Sequence, residues 1–468
     1  MESKLLRPLS QAVALALAAG GAHAAAITVT DGGDAGTAGT CTLRQAIVSA
    51  NADSAQGACT AGSGADTITF AAGLANSNIA LQSGQLLINS SVTITGSGQT
   101  IAASGNSRVM EINSTNTVAT VTLSDLTLTG GNYSGAGAGL AIKYGNGPVA
   151  PASRTQLNGP TAIAASGPNV TLNQVTISNN TSNVQAGGLF ISNATVAINQ
   201  SSISGNTLTA TGNYGAGGVY ITNGSAVTIT DSTISGNSAS GSHTFLTGGV
   251  YVYRSALAAT NSTVTGNRAS GGNDLAGGIS LANSSAGIYD STVTGNSTTA
   301  ANVVTGGILV GNQFVGAGLN ISNSILAANT GPIDMRVFGS SNVIAQSNLM
   351  GAALSGAFAG NGNVFNDAPG LGALANNGGP TLTMLPLAGS PALGAGNVAL
   401  IPAGVTTDQR GAGYARVVSG SLDLGSVEAA AAPVAATPTP TPALSRWAML
   451  ALGGLLGLFG LRKRKRTG

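Results

Sequence analysis

The chain has 468 residues, 70 of them glycine, with only 7% charged and 4% aromatic residues. Charge that sparse would suit low complexity or disorder, but alternating β-branched residues run through most of the length and argue against it. The formal net charge of +2 is misleading: eight of the seventeen basic residues lie in the first 24 and last 23 positions, leaving nine against fourteen acids between them. That balance, with no basic patch, argues against nucleic acid as a partner.

Residues 1–24 read as a secretory signal. Lys4 and Arg7 precede an apolar run at 12–19, and Ala22-His23-Ala24 is a small-x-small cleavage site. The run is too short to span a bilayer. Cleavage removes His23 and leaves His243, which has no fixed serine or cysteine partner and reads as a loop residue. Next come Cys41-Thr42-Leu43-Arg44-Gln45-Ala46-Ile47, a helix-like stretch to Asn51 with Leu43, Ala46 and Ile47 on one face, then Cys59 and Asp66-Thr67-Ile68-Thr69-Phe70. Residues 25–65 resemble the CSLREA-type N-terminal domain of secreted β-helix proteins, with Thr42 and Gln45 in place of Ser and Glu. The resemblance implies a cap without chemistry, and a first coil that starts at Asp66. Two cysteines in an exported chain predict a Cys41–Cys59 disulfide; a metal site would need more ligands than two such thiols.

Residues 66–375 repeat themselves. Gly187-Gly188-Leu189-Phe190-Ile191 recurs as Gly217-Gly218-Val219-Tyr220-Ile221, Gly248-Gly249-Val250-Tyr251-Val252, Gly277-Gly278-Ile279-Ser280-Leu281 and Gly306-Gly307-Ile308-Leu309-Val310. The second glycines are 30, 31, 29 and 29 residues apart. Self-similarity at this period marks a solenoid. The phrases alternate with period two, so they are strands. Val219 with Ile221, and their equivalents, face inward. Phe190, Tyr220, Tyr251, Ser280 and Leu309 face outward. Three short strands and their corners make one turn of a parallel β-helix, buried only by stacking on its neighbours. The expected fold is an all-β, right-handed parallel β-helix of about ten coils and roughly 50 Å. A short N-terminal helical cap and a single C-terminal hydrophobic helix complete it. Residues 143–162, with Pro148, Pro151 and Pro160, read as an insertion. The Gly-Gly pairs suit a corner of unusual φ/ψ. A column of Asn180, Asn206, Asn237, Asn267, Asn296 and Asn329 marks another corner. It reads as a hydrogen-bonded ladder along the stack, with a polar binding surface as the other reading.

Residues 376–428 carry Asn377-Gly378-Gly379-Pro380, Gly389-Ser390-Pro391-Ala392, Asp408-Gln409-Arg410-Gly411 and Leu422-Asp423-Leu424-Gly425-Ser426-Val427-Glu428. This text resembles the choice-of-anchor Q region that follows many β-helices. It should cap the open end of the solenoid, with Asp408 and Arg410 as a structural pair. An extended Ala/Pro/Thr linker at 429–442 follows. Residues 443–468 hold Leu444-Ser445-Arg446-Trp447, an apolar run to Leu461 and the basic run Arg462-Lys463-Arg464-Lys465-Arg466. The layout resembles an IPTL-CTERM sorting signal, with Leu444, Ser445, Trp447 and Arg462 to Arg466 as its motif. The resemblance implies an exosortase-type partner in a Gram-negative envelope. Residues 443–461 barely span a bilayer, so an inner-membrane-anchored intermediate is expected before release to the cell surface.

No cofactor is expected, because no nucleotide fingerprint and no calcium-binding nonapeptide is present. Parallel β-helices host pectate lyases and polygalacturonases, which need clustered carboxylates or a calcium cage. The best pair is Asp231 and Asp290, two coils apart with Asn261 between them and Gln200 one coil earlier. Their backbones should lie about 10 Å apart, near the range for an inverting glycosidase. No further acid or base recurs on that column, so no catalytic residue is assigned. The preferred reading is an exported, surface-associated, non-catalytic adhesin, spacer or matrix component. Its glycan-facing stripe would be Phe190, Tyr220 and Tyr251, with Tyr253 beside it, meeting surface polysaccharide or the glycans of neighbouring or host cells; the other and preferred reading of these rings is an aromatic ladder that only stabilises the sheet face. A polysaccharide lyase or glycoside hydrolase is the alternative.

Overall fold

A computed structural model describes residues 24–114, 118–145, 165–209, 214–241, 245–299, 303–312 and 315–429. The signal up to His23, most of the 143–162 insertion, His243, the linker from 430 and the whole 443–468 segment lie outside the described residues. Among those described, no helix is long and apolar enough to cross a membrane. The expected span at 443–461 is not among them.

The fold is a parallel β-solenoid. Thr195–Asn199, Ala226–Thr230, Ala256–Thr260 and Ser285–Tyr289 stack in unbroken register. After each comes a corner and a three-residue strand, such as Thr233–Ser235 over Thr263–Thr265. The Gly-Gly phrases lead into a ten-stranded parallel sheet on the opposite side of the core. One repeat buries Val227, Ile229, Ile234, Val250 and Val252 between these sheets. At roughly 1.5–3 kcal/mol for each buried side chain, stacking is what makes a coil stable.

The central repeats hold five short strands, not three. Between Thr233 and Thr263 the chain also forms Ser238–Ser240 and Phe245–Thr247. These build a six-stranded and a four-stranded sheet of their own, joined by Leu208, Ala239, Leu246, Ala269, Leu275 and Val304. The excursion folds back over the outer face of the ten-stranded sheet. The Gly-Gly pair permits that close pass. A Cβ on Gly249 would lie 2.5 Å from Gly278 O, and one on Gly248 2.4 Å from Arg268 N. The glycines are needed for close approach of neighbouring coils, then, and not for left-handed φ.

The left-handed positions lie beside the Asn column. Gly205, Gly236, Gly266 and Gly295 take φ of 62–65°, and each immediately precedes its asparagine. Asn206, Asn237, Asn267 and Asn296 are buried, each donating from Nδ2 to the next asparagine or, at the end, to Asn329 Oδ1. The ladder reading therefore holds.

At the N-terminus the helix Leu43–Ala52 buries Leu43, Ala46, Ile47 and Ala50 over the start of the core. Thr42 and Gln45 form a reciprocal capping box. The Cys41–Cys59 disulfide ties the helix start to the following loop. Arg44 pairs with buried Asp34 and donates to Gly84 O and Gln85 O, fixing the helix to the sheet edge. The solenoid starts earlier than Asp66, because Ala26–Val29 pairs in parallel with Asp66–Phe70.

Residues 371–428 contain isolated bridges and one short 3-10 turn, Val398–Leu400. They do not close the end of the solenoid as expected. They run as a strap along its side, because polar side chains at the corner column and the three-residue strands offer hydrogen bonds there.

Candidate functional site

The corner column named by Asp231 and Asp290 lies under the strap. Gln200, Asp231, Asn261, Asp290 and Asn323 all sit at φ between 47° and 52°. Strand register places them one above another. Polar residues of this kind tolerate the left-handed region, which explains why the column is Asp, Asn and Gln.

The strap meets this column and the strand next to it through hydrogen bonds. Thr381 Oγ1 donates to Asp231 O, and Thr233 Oγ1 to Leu382 O. Gln409 is fully buried. Its Nε2 donates to Ser232 O and Thr233 Oγ1, and its Oε1 accepts from Thr263 Oγ1. Ser426 N donates to Thr292 Oγ1, and Asn261 Nδ2 to Thr407 O. Apolar contact is confined to one end, where Ala392 and Leu424 join Ile325, Ala327 and Leu349.

Charge under the strap is unbalanced. Asp231, Asp290, Asp408, Asp423 and Glu428 share the region with Arg410 and Arg416. Asp408 and Arg410 form the expected structural pair at 2.6 Å, and the guanidinium lies 3.9 Å from the Tyr414 ring centre. Arg416, fully buried, donates to Asp423 O and Gly425 O. It lies 3.6 Å from Asp290 and 3.5 Å from Glu428, too far for hydrogen bonds. Both Asp290 oxygens, Asn261 Oδ1 and Arg416 Nη1 are buried without a hydrogen-bond partner.

These surroundings shift protonation. Burial pushes Asp231 up to about 6, against the pull of its hydrogen bond from Asn261, with Asp408 adding repulsion. Burial likewise raises Asp290 to about 6, opposed by the Arg416 charge. Glu428 is pushed up to about 8 by burial, although Arg416 opposes the shift. A carboxyl column of this kind can store protons; Asn261, Asp290 and Asn323 are buried, while Gln200 and Asp231 are half-buried. Among the described residues no three His, Cys, Asp or Glu side chains are placed to hold a metal.

The aromatic stripe is not a sugar platform. Tyr220 and Tyr251 are 3% and 1% exposed, with rings stacked at 5.2 Å. The four-stranded sheet covers them: Tyr214 stacks on Phe245 at 5.1 Å and faces Tyr251 at 6.2 Å. Ser280 and Leu309, also expected outside, are buried there too. Phe190 and Tyr253 are half-buried, with Arg254 over the Tyr253 ring. Period two gave the correct face of the strand; the excursion that covers that face left no signal in the phrase itself.

The open face lies elsewhere. Thr67, Thr93, Thr122 and Thr171 stand in register on consecutive strands, with Thr69, Thr95 and Ser124 two residues along. All point outward, and none is charged. The signal for them was the Thr-x-Thr alternation in Asp66–Phe70 and Val92–Ala102. Arg416 escaped the sequence reading, and Gln409 and Glu428 entered it only as letters of a family motif, since only the strap's path gives them a role. The sorting residues Leu444, Ser445, Trp447 and Arg462 to Arg466 lie outside the described residues.

Residues 439–466 match the IPTL-CTERM motif. This C-terminal sorting signal marks an exported protein. No curated protein sequence matches the chain. Among solved structures, the chain is similar to that described as the crystal structure of pectate lyase Pel9A. The identity is 14%, the coverage 88% of this chain and 98% of that one, and the TM-score 0.47. A likeness of that size carries no argument about activity, and the β-helix assignment rests on the strand pairing above.

Proposed function

We propose that the chain is an exported, surface-associated β-helix protein with a non-catalytic role as adhesin, spacer or matrix component. The observation that carries this reading is the cover that the strap lays over this column, with Asp290 buried and Asp231 half-buried beneath it. The one carboxylate pair of suitable spacing is spent on packing, while the face open to partners is uncharged and rich in hydroxyls. That face, around Thr93 and Thr122, suits a neutral polysaccharide on its own or a neighbouring cell. Residues 25–65 and 376–428 serve as the CSLREA-type and choice-of-anchor Q modules, and 443–468 as the signal read by an exosortase-type enzyme. Residues 443–461 hold the chain transiently in the inner membrane, with the basic run Arg462 to Arg466 on the cytoplasmic side.

The test pairs a glycan array with a polysaccharide-cleavage assay on the purified protein. Saturable binding that weakens in Thr93→Lys and Thr122→Lys, without cleavage, is expected for an adhesin. Depolymerisation would overturn the non-catalytic reading. Mass spectrometry of surface protein should find C-terminal peptides ending between Thr441 and Trp447. An intact Arg462 to Gly468 tail on inner-membrane protein would overturn the sorting route.

A further inference from the structure

The strap is fastened unequally along its length. One end packs Ala392 and Leu424 on the apolar patch of Ile325, Ala327 and Leu349. The other, at 376–384 and 406–416, is held by hydrogen bonds to Asp231 O, Ser232 O, Thr233 and Thr263. Beneath it, five carboxyl groups face two guanidinium groups.

The carboxyl groups are not satisfied alike. Asp408 accepts from Arg410 and Glu428 N, and Asp423 from Gly394 N and Ala429 N, so both are well supplied with donors. Among the described residues Asp290 accepts no hydrogen bond of good geometry; Arg416, at 3.6 Å, and Asn323 are its polar neighbours. Among the same residues Glu428 accepts from Asp423 N alone, and the charges around it are Arg416, Asp423 and Asp408. Asp231 faces Asn261 and Asp408. Uncompensated buried charge is costly, so the closed strap is stable only if part of this excess is neutralised.

We propose that the polar end of the strap is a proton-locked cover over the Asp231–Asn261–Asp290 column, closed while the excess carboxyl groups hold protons and lifted as they ionise. The apolar end is the hinge. Lifting frees the column to solvent while the neutral Asn206–Asn237 part of the ladder stays intact; the buried carboxyl groups of Asp274 and Asp334 lie outside the strap, Asp334 at the far end of the ladder beyond Asn329.

The direction follows from linkage. A carboxyl group whose protonation is favoured in the closed state stabilises closure below its ordinary value, and that contribution is lost as pH rises to its closed-state value. Asp231 and Asp290 therefore act between their ordinary range and about 6. Glu428 continues the loss up to about 8. Between pH 6 and pH 8, Glu428 alone should raise the opening constant about fiftyfold, close to tenfold for the first pH unit and less for the second, with a plateau above pH 9.

Hydrogen–deuterium exchange of the full chain, read by mass spectrometry from pH 5 to 9 and corrected for intrinsic exchange, tests this. Strap amides of Gln409 and Ser426 should open about fiftyfold more at pH 8 than at pH 6, while the Asn206–Asn237 ladder stays protected. Glu428→Gln should flatten that rise. If this variant fails to fold by circular dichroism, Asp290→Asn should flatten the segment below pH 6. Equal pH dependence of strap and ladder, or an unchanged profile in a folded variant, would overturn the proposal.

Discussion

Two polar columns climb the same solenoid at different corners, and they solve burial in opposite ways. In the Asn206–Asn237–Asn267–Asn296 ladder, each side chain donates to the next coil and to a carbonyl one coil back, as Asn237 Nδ2 does to Asn267 Oδ1 and Ile203 O. Each Oδ1 accepts from the preceding asparagine, N–H and amide alike. In the Asp231–Asn261–Asp290 column the residues differ from coil to coil, and stacking alone cannot satisfy them. The strap supplies partners for some atoms and leaves others without any. Repetition pairs a polar residue with its own copy; irregularity at an equivalent position marks a place that something else must cover.

The sharpest way to break this contrast is to interrupt the ladder. Asn237→Leu takes the acceptor from Asn206 N–H and Nδ2 and a donor from Ile203 O in a dry core. The expected loss is roughly 3–5 kcal/mol, read from the urea midpoint. A control outside both columns is the double change Cys41→Ala and Cys59→Ala. It should cost about 3 kcal/mol in the chain-entropy model. Exchange should localise that loss to the Leu43–Ala52 cap. Gln409→Ala removes strap contacts to Ser232, Thr233 and Thr263. It should cost about 2 kcal/mol, with increased exchange in the strap and an unchanged ladder. Smallest is Tyr251→Phe, which deletes a buried hydroxyl without a partner. It should change stability by less than about 1 kcal/mol, in either direction. A large loss there would mean that the aromatic layer contains a hydrogen bond to a group outside the described residues.

The glycine pairs show how a correct motif can carry the wrong cause. Their period located the coils, and the inward positions of Val219, Ile221, Val250 and Val252 followed from alternation. Whether Tyr220 and Tyr251 met water depended on Phe245–Thr247 crossing above them, which is a contact between segments that share no pattern. The carboxylates were found by the equivalence of Asp231 and Asp290. Their cover was invisible, because Asp408 and Arg416 reach them only through the strap.

The sequence by itself determined the parallel solenoid, the inward faces, the Asn ladder, the Cys41–Cys59 pair and the Asp408–Arg410 pair. Each depends on local spacing or on a residue meeting its own copy one period away, and a linear text records both. Tertiary structure alone decided that the aromatic stripe is covered, that residues 371–428 lie along the side, and that the strap lies over the Asp231–Asp290 column. The first turns on the face over which the repeated excursion folds, and the other two on a non-repeating strap finding hydrogen-bond partners across the fold. Strand alternation records neither, because it fixes which way a side chain points and not which segment comes to lie above it.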